Sequence, residues 1–225
     1  TDLRRNRELV AVVATAGTTP AGAVDPIMPL ADLCRSDDIW LHVDGAYGYA
    51  YKLVPEWSSL FAGDTRADSI TWDPHKQLGV PIPSSVLFVK NRADFGRMAL
   101  FSSYFNRQDG TEPNPGLKSP PSTRPMSALA LVTLLRGQGL EGVIDNLRVP
   151  LVAIKELAEI LTRRPGIRLC HRPDTGVLCF QVVPPGWPRE KLNQLQQQLY
   201  QGTLLRGLRS VSITQFDDDT VLRLV

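Results

Sequence analysis

The first ninety residues alternate two kinds of apolar pattern. Residues 9–16, "LVAVVATA", form an unbroken β-type run, and residues 26–38, "PIMPLADLCRSDD", carry Leu30, Leu33 and Cys34 at helical spacing. Residues 39–44, "IWLHVD", return to the strand pattern. Strand and helix in alternation predict an α/β fold with a mostly parallel sheet and crossover helices. Two further strands are expected at "DSITW" (68–72) and "SVLFVK" (85–90), both apolar on their two faces as in strands covered by helices on both sides. Ligands of such sheets collect at the carboxyl ends of the strands.

Residues 102–125, "SSYFNRQDGTEPNPGLKSPPSTRP", hold five prolines and almost no apolar periodicity. This predicts a long loop, and loops of that length in compact domains are usually functional or disordered. From Met126 the pattern turns helical, first "MSALALVTLLRGQG" and then "GVIDNLRVPLVAIKELAEILTRR", where Pro150 is expected to kink or split the segment. The remainder, with "IRLCH", "GVLCFQVV", an amphipathic "REKLNQLQQQLYQGTLL" and "VLRLV", reads as a small α+β unit. The expected division is a large domain over 1–150 and the start of a small C-terminal domain over 151–225. No internal repeat is visible.

Composition narrows the class of partner. The chain has 225 residues, 25 basic against 23 acidic, and no basic run of the kind that binds nucleic acid or a membrane surface. A small-molecule partner is expected. Cys34, Cys170 and Cys179 have neither CxxC spacing nor a histidine at metal-ligand spacing, so no metal site and no disulfide framework is expected, and the reading places the chain in a reducing cytoplasm. No apolar run approaches the roughly 18 residues of a membrane span, and "TDLRRNREL" lacks the order of a signal peptide. Both ends read as cut: there is no initiator methionine, and the chain stops in an alternating apolar run, "DTVLRLV".

Three strand ends carry consecutive polar or small residues: "ATAGTT" (14–19), "HVDGAYG" (42–48) and "DPHK" (73–76). Asp44 follows an apolar strand and precedes Gly45, Ala46 and Gly48, small residues that let a flat ligand approach the backbone. Its alternative reading is an N-cap or a structural ion pair. Lys76 has two readings as well: a solvated loop charge, or an amine desolvated between two apolar runs, with its pKa lowered toward a nucleophile that forms Schiff bases. His75 beside it reads as a cofactor contact or as a core histidine satisfied by backbone. His42 shares the strand face of Asp44 and reads as packing, and His171 carries no functional signal.

The stretches "ATAGTTPAGAVDP", "IWLHVDGAYG" and "ADSITWDPHKQLGVP", in this order and spacing, resemble the pyridoxal-phosphate-dependent group II amino acid decarboxylases, the family of glutamate, cysteine sulfinate and aromatic amino acid decarboxylases. The resemblance weakens after about residue 125. It implies a fold-type I enzyme, a three-layer mostly parallel sheet with a small C-terminal domain, of which this chain is an incomplete part, and pyridoxal 5'-phosphate as cofactor. Lys76 matches the lysine that carries the cofactor as a Schiff base, and His75 matches the neighbouring histidine that contacts it. Asp44 matches the aspartate on the pyridine nitrogen, Ala46 the small residue against the ring face, and Thr19 and Asp73 positions that hydrogen-bond the cofactor. Asp73 is expected to bond through backbone or to a neighbouring donor, because an aspartate near a phosphate is electrostatically unfavourable. A homodimer with shared active sites and an amino acid substrate are implied too.

The chain also departs from that pattern. The upstream residues that cradle the phosphate and stack on the ring have no counterpart here. "SSYFNRQD" and "GVP" resemble the branch acting on acidic amino acids, yet the tyrosine that follows "QD" in those relatives is missing after "RQD", and Tyr104 precedes it. Loss of that proton donor favours transamination, carbon–carbon lysis or oxidative deamination on the same fold, or requires another acid. A degenerate, non-catalytic homologue is the third reading. Arg124 matches a position where relatives often have arginine, either as a carboxylate clamp or as a helix-end charge.

Overall fold

The computed structural model describes residues 9–101, 115–118, 125–207 and 210–225. Tyr104 and Arg124 lie outside them.

Four strands make the first sheet, in the order β1 (Ala11–Thr15), β2 (Trp40–Asp44), β3 (Ser69–Trp72) and β4 (Val86–Val89). β1, β2 and β3 are parallel, as the alternation predicts, and α1 (Ile27–Ser36) links the first two. β4 is antiparallel to β3. Between them the chain forms only a single helical turn, α2 (Pro74–Gln77), which is too short to cross the sheet and return in parallel. The expectation that β4 is covered on both faces is not met, since Leu87 and Phe88 are exposed at this sheet edge.

Alternation decides what β2 presents to either side. Leu41 and Val43 enter the core, while Trp40, His42 and Asp44 share the other, half-buried face. Ser69, paired in register with His42, binds both polar rings of that face: the Trp40 indole donates to its Oγ at 3.0 Å, and its Oγ lies 2.7 Å from His42 Nδ1. The Ser69 hydroxyl can accept from Trp40 and donate to Nδ1 at once, an arrangement that suits a neutral imidazole, and burial favours that form. His42 is thus a packed, neutral histidine, as its position on the strand suggests.

The long helix α3 (Ser127–Thr162) breaks at Gly139, where φ is 69°, and not at Pro150. The expected split at Pro150 does not occur, since the proline lies inside the helix with helical backbone angles. The two expected helical segments are nevertheless there, divided at the glycine. Val143, Leu147 and Leu151 of α3 pack into the core of the first sheet together with Ile27, Ala31 and Cys34 of α1. One turn later, Ile154 and Ala158 pack with Leu178 of the second sheet.

That second sheet is antiparallel, in the order β5 (Ile167–Leu169), β6 (Leu178–Val182), β8 (Asp219–Leu224) and β7 (Ser212–Phe216). The polar edge strand β7 was not legible in the apolar pattern. α4 (Arg189–Arg206) forms where an amphipathic helix is expected, but its one fully buried residue is polar. Gln196 spends its amide on the backbone of Val182, accepting from its N–H and donating to its carbonyl, both at 2.9 Å.

Candidate active site

The carboxyl ends of β1, β2 and β3 lie side by side because register places Thr15 opposite Asp44 and Asp44 opposite Thr71. Asp44 is half-buried there. Its Oδ1 accepts from the Ala46 N–H at 3.2 Å and from the Thr71 hydroxyl at 3.4 Å, which leaves Oδ2 unbonded among the described residues. Thr71 was not singled out by its sequence. Its position opposite an aspartate in a parallel pair is visible only once register is known.

The turn bearing Lys76 is joined to this strand end through backbone. The Asp73 N–H donates to the Ala46 carbonyl at 3.3 Å, and the Gly45 N–H to the Thr71 carbonyl at 3.1 Å. Pro74 occupies the first helical position of α2, where its missing N–H costs nothing. Lys76 projects from this turn, with Nζ 3.1 Å from Asp73 Oδ2. Its side chain is 40% exposed, so the expected desolvation between two apolar runs does not occur. A helical turn interrupts the apolar runs and lifts the amine out toward solvent. Asp73 meets the expectation of a neighbouring donor, and that donor is Lys76 itself.

His75 is half-buried, with Nδ1 2.6 Å from the carbonyl oxygen of Ser84. The Ser84 N–H lies 3.4 Å from the same nitrogen, but the much shorter contact is to a carbonyl, which only accepts, so Nδ1 carries a proton, and Nε2 faces Asp73 Oδ2 at 3.9 Å. The next residue, Gln77, accepts a 2.7 Å bond through Oε1 from the hydroxyl of Tyr51, a fully buried side chain. Ser84, Gln77 and Tyr51 thus fix the Lys76 turn from both sides; Ser84 and Tyr51 lie outside the quoted motifs, and Gln77, though within one, was not singled out.

Close packing of protein by itself requires glycine at two positions near Asp44. A Cβ at Gly48 would lie 2.4 Å from the Ala16 carbonyl, and one at Gly45 would lie 2.5 Å from Cβ of Tyr49. At both positions glycine admits neighbouring protein. Ala46, by contrast, is only partly buried. Thr19 is exposed in the turn that follows β1. His171 proves structural: its Nε2 accepts from the Cys179 N–H at 3.2 Å, Nδ1 lies 3.1 Å from the Arg172 carbonyl, and its ring stacks on Phe216. A cleft of about 700 Å³ lies between α3, the segment around Trp57 and the segment His171–Thr175, and none of the expected site residues line it. No group of three or more metal-ligating side chains occurs among the described residues.

A primary amine, a strand-end carboxylate with a free oxygen, and an imidazole of defined tautomer are the donor set that a pyridoxal ring requires, so the residues present fit that cofactor. Comparison with known proteins agrees. The family described as "Pyridoxal-dependent decarboxylase conserved domain" matches residues 3–183. The chain belongs to this family. Among curated members, L-2,4-diaminobutyrate decarboxylase of Rhizobium meliloti is 36% identical over 183 residues, covering 80% of this chain and 37% of that protein. Human cysteine sulfinic acid decarboxylase is 33% identical over 179 residues, covering 77% of this chain and 36% of that protein. The crystal structure of mouse CSAD in apo form superposes with a TM-score of 0.86 at 28% identity, over 96% of this chain and 47% of that one. An Oryza sativa TDC with PLP and tryptamine, at 23% identity and a TM-score of 0.88, shares the fold. The chain therefore spans less than half the length of the family members it matches.

Proposed function

We propose that the protein is a pyridoxal-phosphate-dependent carboxy-lyase that converts an L-amino acid to the corresponding amine and carbon dioxide. The observation that carries this reading is the backbone bond between Asp73 and Ala46, which joins the strand end bearing Asp44 to the turn bearing Lys76. Lys76 supplies the primary amine for the cofactor's aldehyde, and its 40% exposure leaves that amine accessible. Asp44 holds a proton at the pyridine nitrogen through its unbonded Oδ2. Ala46 packs against the ring, while His75, Thr19 and Asp73 contact the cofactor around it. Bound pyridoxal phosphate supplies the sink for the electron pair left when carbon dioxide departs.

Acidic amino acids are the proposed substrate class, supported by "RQD" and "GVP" and by the similarity to a cysteine sulfinic acid decarboxylase. Similarity to diaminobutyrate decarboxylases makes basic diamino acids the comparison class in any assay. Arg124 is the proposed clamp for a substrate carboxylate. We propose a homodimer in the cytoplasm, with the large domain ending near residue 150. The exposed Val13 on edge strand β1 and Val10 just before it, with Leu129 and Val132 on α3, supply apolar surface for a subunit contact. No helix among the described residues is long and apolar enough to cross a membrane.

The test is carbon dioxide release by the full-length protein across a panel of acidic, aromatic and diamino acids, with product analysis. Amine as the main product supports simple decarboxylation. Ammonia or a keto acid as the main product would replace it with oxidative deamination or transamination on the same residues.

A further inference from the structure

The loop that follows β1, residues 16–25, carries Thr19 at its tip. Internally it is closed by the Gly17 and Thr18 N–H groups on the Ala23 carbonyl and by the Ala23 N–H on the Thr18 hydroxyl. Its outward-facing backbone is held by the C-terminal unit. The Pro20 carbonyl accepts from Arg223 Nε at 3.1 Å and from Cys179 Sγ at 3.2 Å, and the Gly22 carbonyl accepts from Thr175 Oγ1 at 2.7 Å. The Val24 N–H donates to Asp174 Oδ2 at 3.3 Å.

Thr175 is the centre of this contact. It is 2% exposed, and a Cβ at Gly22, where φ is +67°, would lie 2.2 Å from its Oγ1. The loop and Thr175 therefore meet at a distance that only glycine permits. The adjoining Gly176 packs equally closely on the other half of the site, since a Cβ there would lie 2.6 Å from the Tyr51 hydroxyl oxygen. That same hydroxyl binds Gln77, the residue after Lys76. One short segment of the C-terminal unit thus touches both the Thr19 loop and the anchor of the Lys76 turn.

We propose that the segment Asp174–Val177, through Thr175, is a positioning element of the cofactor site, setting the Thr19 loop and the Lys76 turn relative to each other. Thr175 acts through the Gly22 carbonyl and does not touch the cofactor. The proposal rests on the reading of Lys76 and Thr19 as cofactor residues.

The experiment uses the full-length protein, stripped of cofactor and titrated with pyridoxal phosphate, with amide hydrogen exchange followed across residues 17–24. Thr175→Val keeps the shape of the side chain and removes the donor. It is expected to raise the pyridoxal phosphate dissociation constant about three- to tenfold and to speed exchange in the 17–24 loop, in line with the loss of one intramolecular hydrogen bond. Thr175→Ser restores the hydroxyl and is expected to return both readouts to within about twofold of the parent. Should Thr175→Val fail to fold, Arg223→Gln removes the Pro20 bond from the half-buried rim and is expected to shift both readouts in the same direction. Unchanged affinity in a folded Thr175→Val variant, or in folded Arg223→Gln where that variant stands in, overturns the proposal. Lys76→Ala separates the two levels. If it keeps the borohydride-sensitive absorbance band, the assignment of the cofactor lysine fails, and the proposal fails with it. If it loses the band while Thr175→Val binds normally, only the positioning role falls.

Discussion

Oδ2 of Asp73 stands 3.1 Å from Nζ of Lys76, one helical turn away. The pair is partly exposed, so its contribution to folding is small, about 0–1 kcal/mol. Asp73→Asn is accordingly expected to shift the unfolding free energy by less than about 1 kcal/mol in a urea titration, and to keep the cofactor's absorbance band. A larger loss would mean that the carboxylate organises more of the turn than its lysine.

Lys76 itself separates chemistry from stability. Its amine lies near the surface, so Lys76→Ala is expected to leave the unfolding free energy of the cofactor-free protein within about 1 kcal/mol of the parent. Carbon dioxide release and the borohydride-sensitive band are both expected to vanish. Retention of either, measured on the same preparation, contradicts the assignment.

The close approach of Gly48 to β1 predicts a stability defect at a position beside the site. In Gly48→Ala the new methyl group meets the Ala16 carbonyl at 2.4 Å, and backbone on both sides must move. The expected cost is about 1–3 kcal/mol, read as a lower urea midpoint with an unchanged slope.

Burial lowers the pKa of His42 from its ordinary value, against a smaller opposing pull from Asp44. The unfolded chain therefore takes up this proton first as pH falls. The neutral, Ser69-bonded form contributes stability that is fully present above the unfolded pKa of about 6.5 and is lost progressively below it. His42→Gln is expected to flatten the dependence of the urea midpoint on pH between 7.5 and 5.5. An equally steep loss in the variant would assign the effect to other groups.

Burial also raises two thiols, Cys170 to about 11 and Cys179 to about 12. Thiolate is scarce at both positions near neutral pH, and the thiolate is the form that alkylates. In the native protein at pH 8, iodoacetamide is expected to modify these cysteines about a hundredfold more slowly than in urea, as followed by peptide mass spectrometry. Rapid labelling of Cys179 would show that its bond to the Pro20 carbonyl opens readily.

Much of the fold could be read from local pattern, because strands and helices differ in the period at which apolar residues recur. β1, β2 and β3 lie within a residue or two of the runs that announced them, and β5, β6 and β8 fall on "IRLCH", "GVLCFQVV" and "VLRLV". The direction of β4 was not legible, since direction depends on what the intervening chain can span and not on the apolar character of "SVLFVK". The helix break fell at Gly139 and not at Pro150 for a related reason: a proline disturbs a helix only as far as the surrounding turns cannot absorb it.

By itself the sequence pointed to the residues proposed for chemistry here: Asp44 ends an apolar run, Lys76 follows the next strand by four residues, and their flanking motifs resemble the family pattern. Only the tertiary structure decided how they are held. Asp73 bonds to Ala46, His75 takes its tautomer from Ser84, and Thr175 reaches Gly22 across 153 residues of chain. The physical reason is that residue type and spacing are local properties, whereas a hydrogen-bond partner, a solvent-exposed amine or a glycine-only contact exists only after distant segments have packed together.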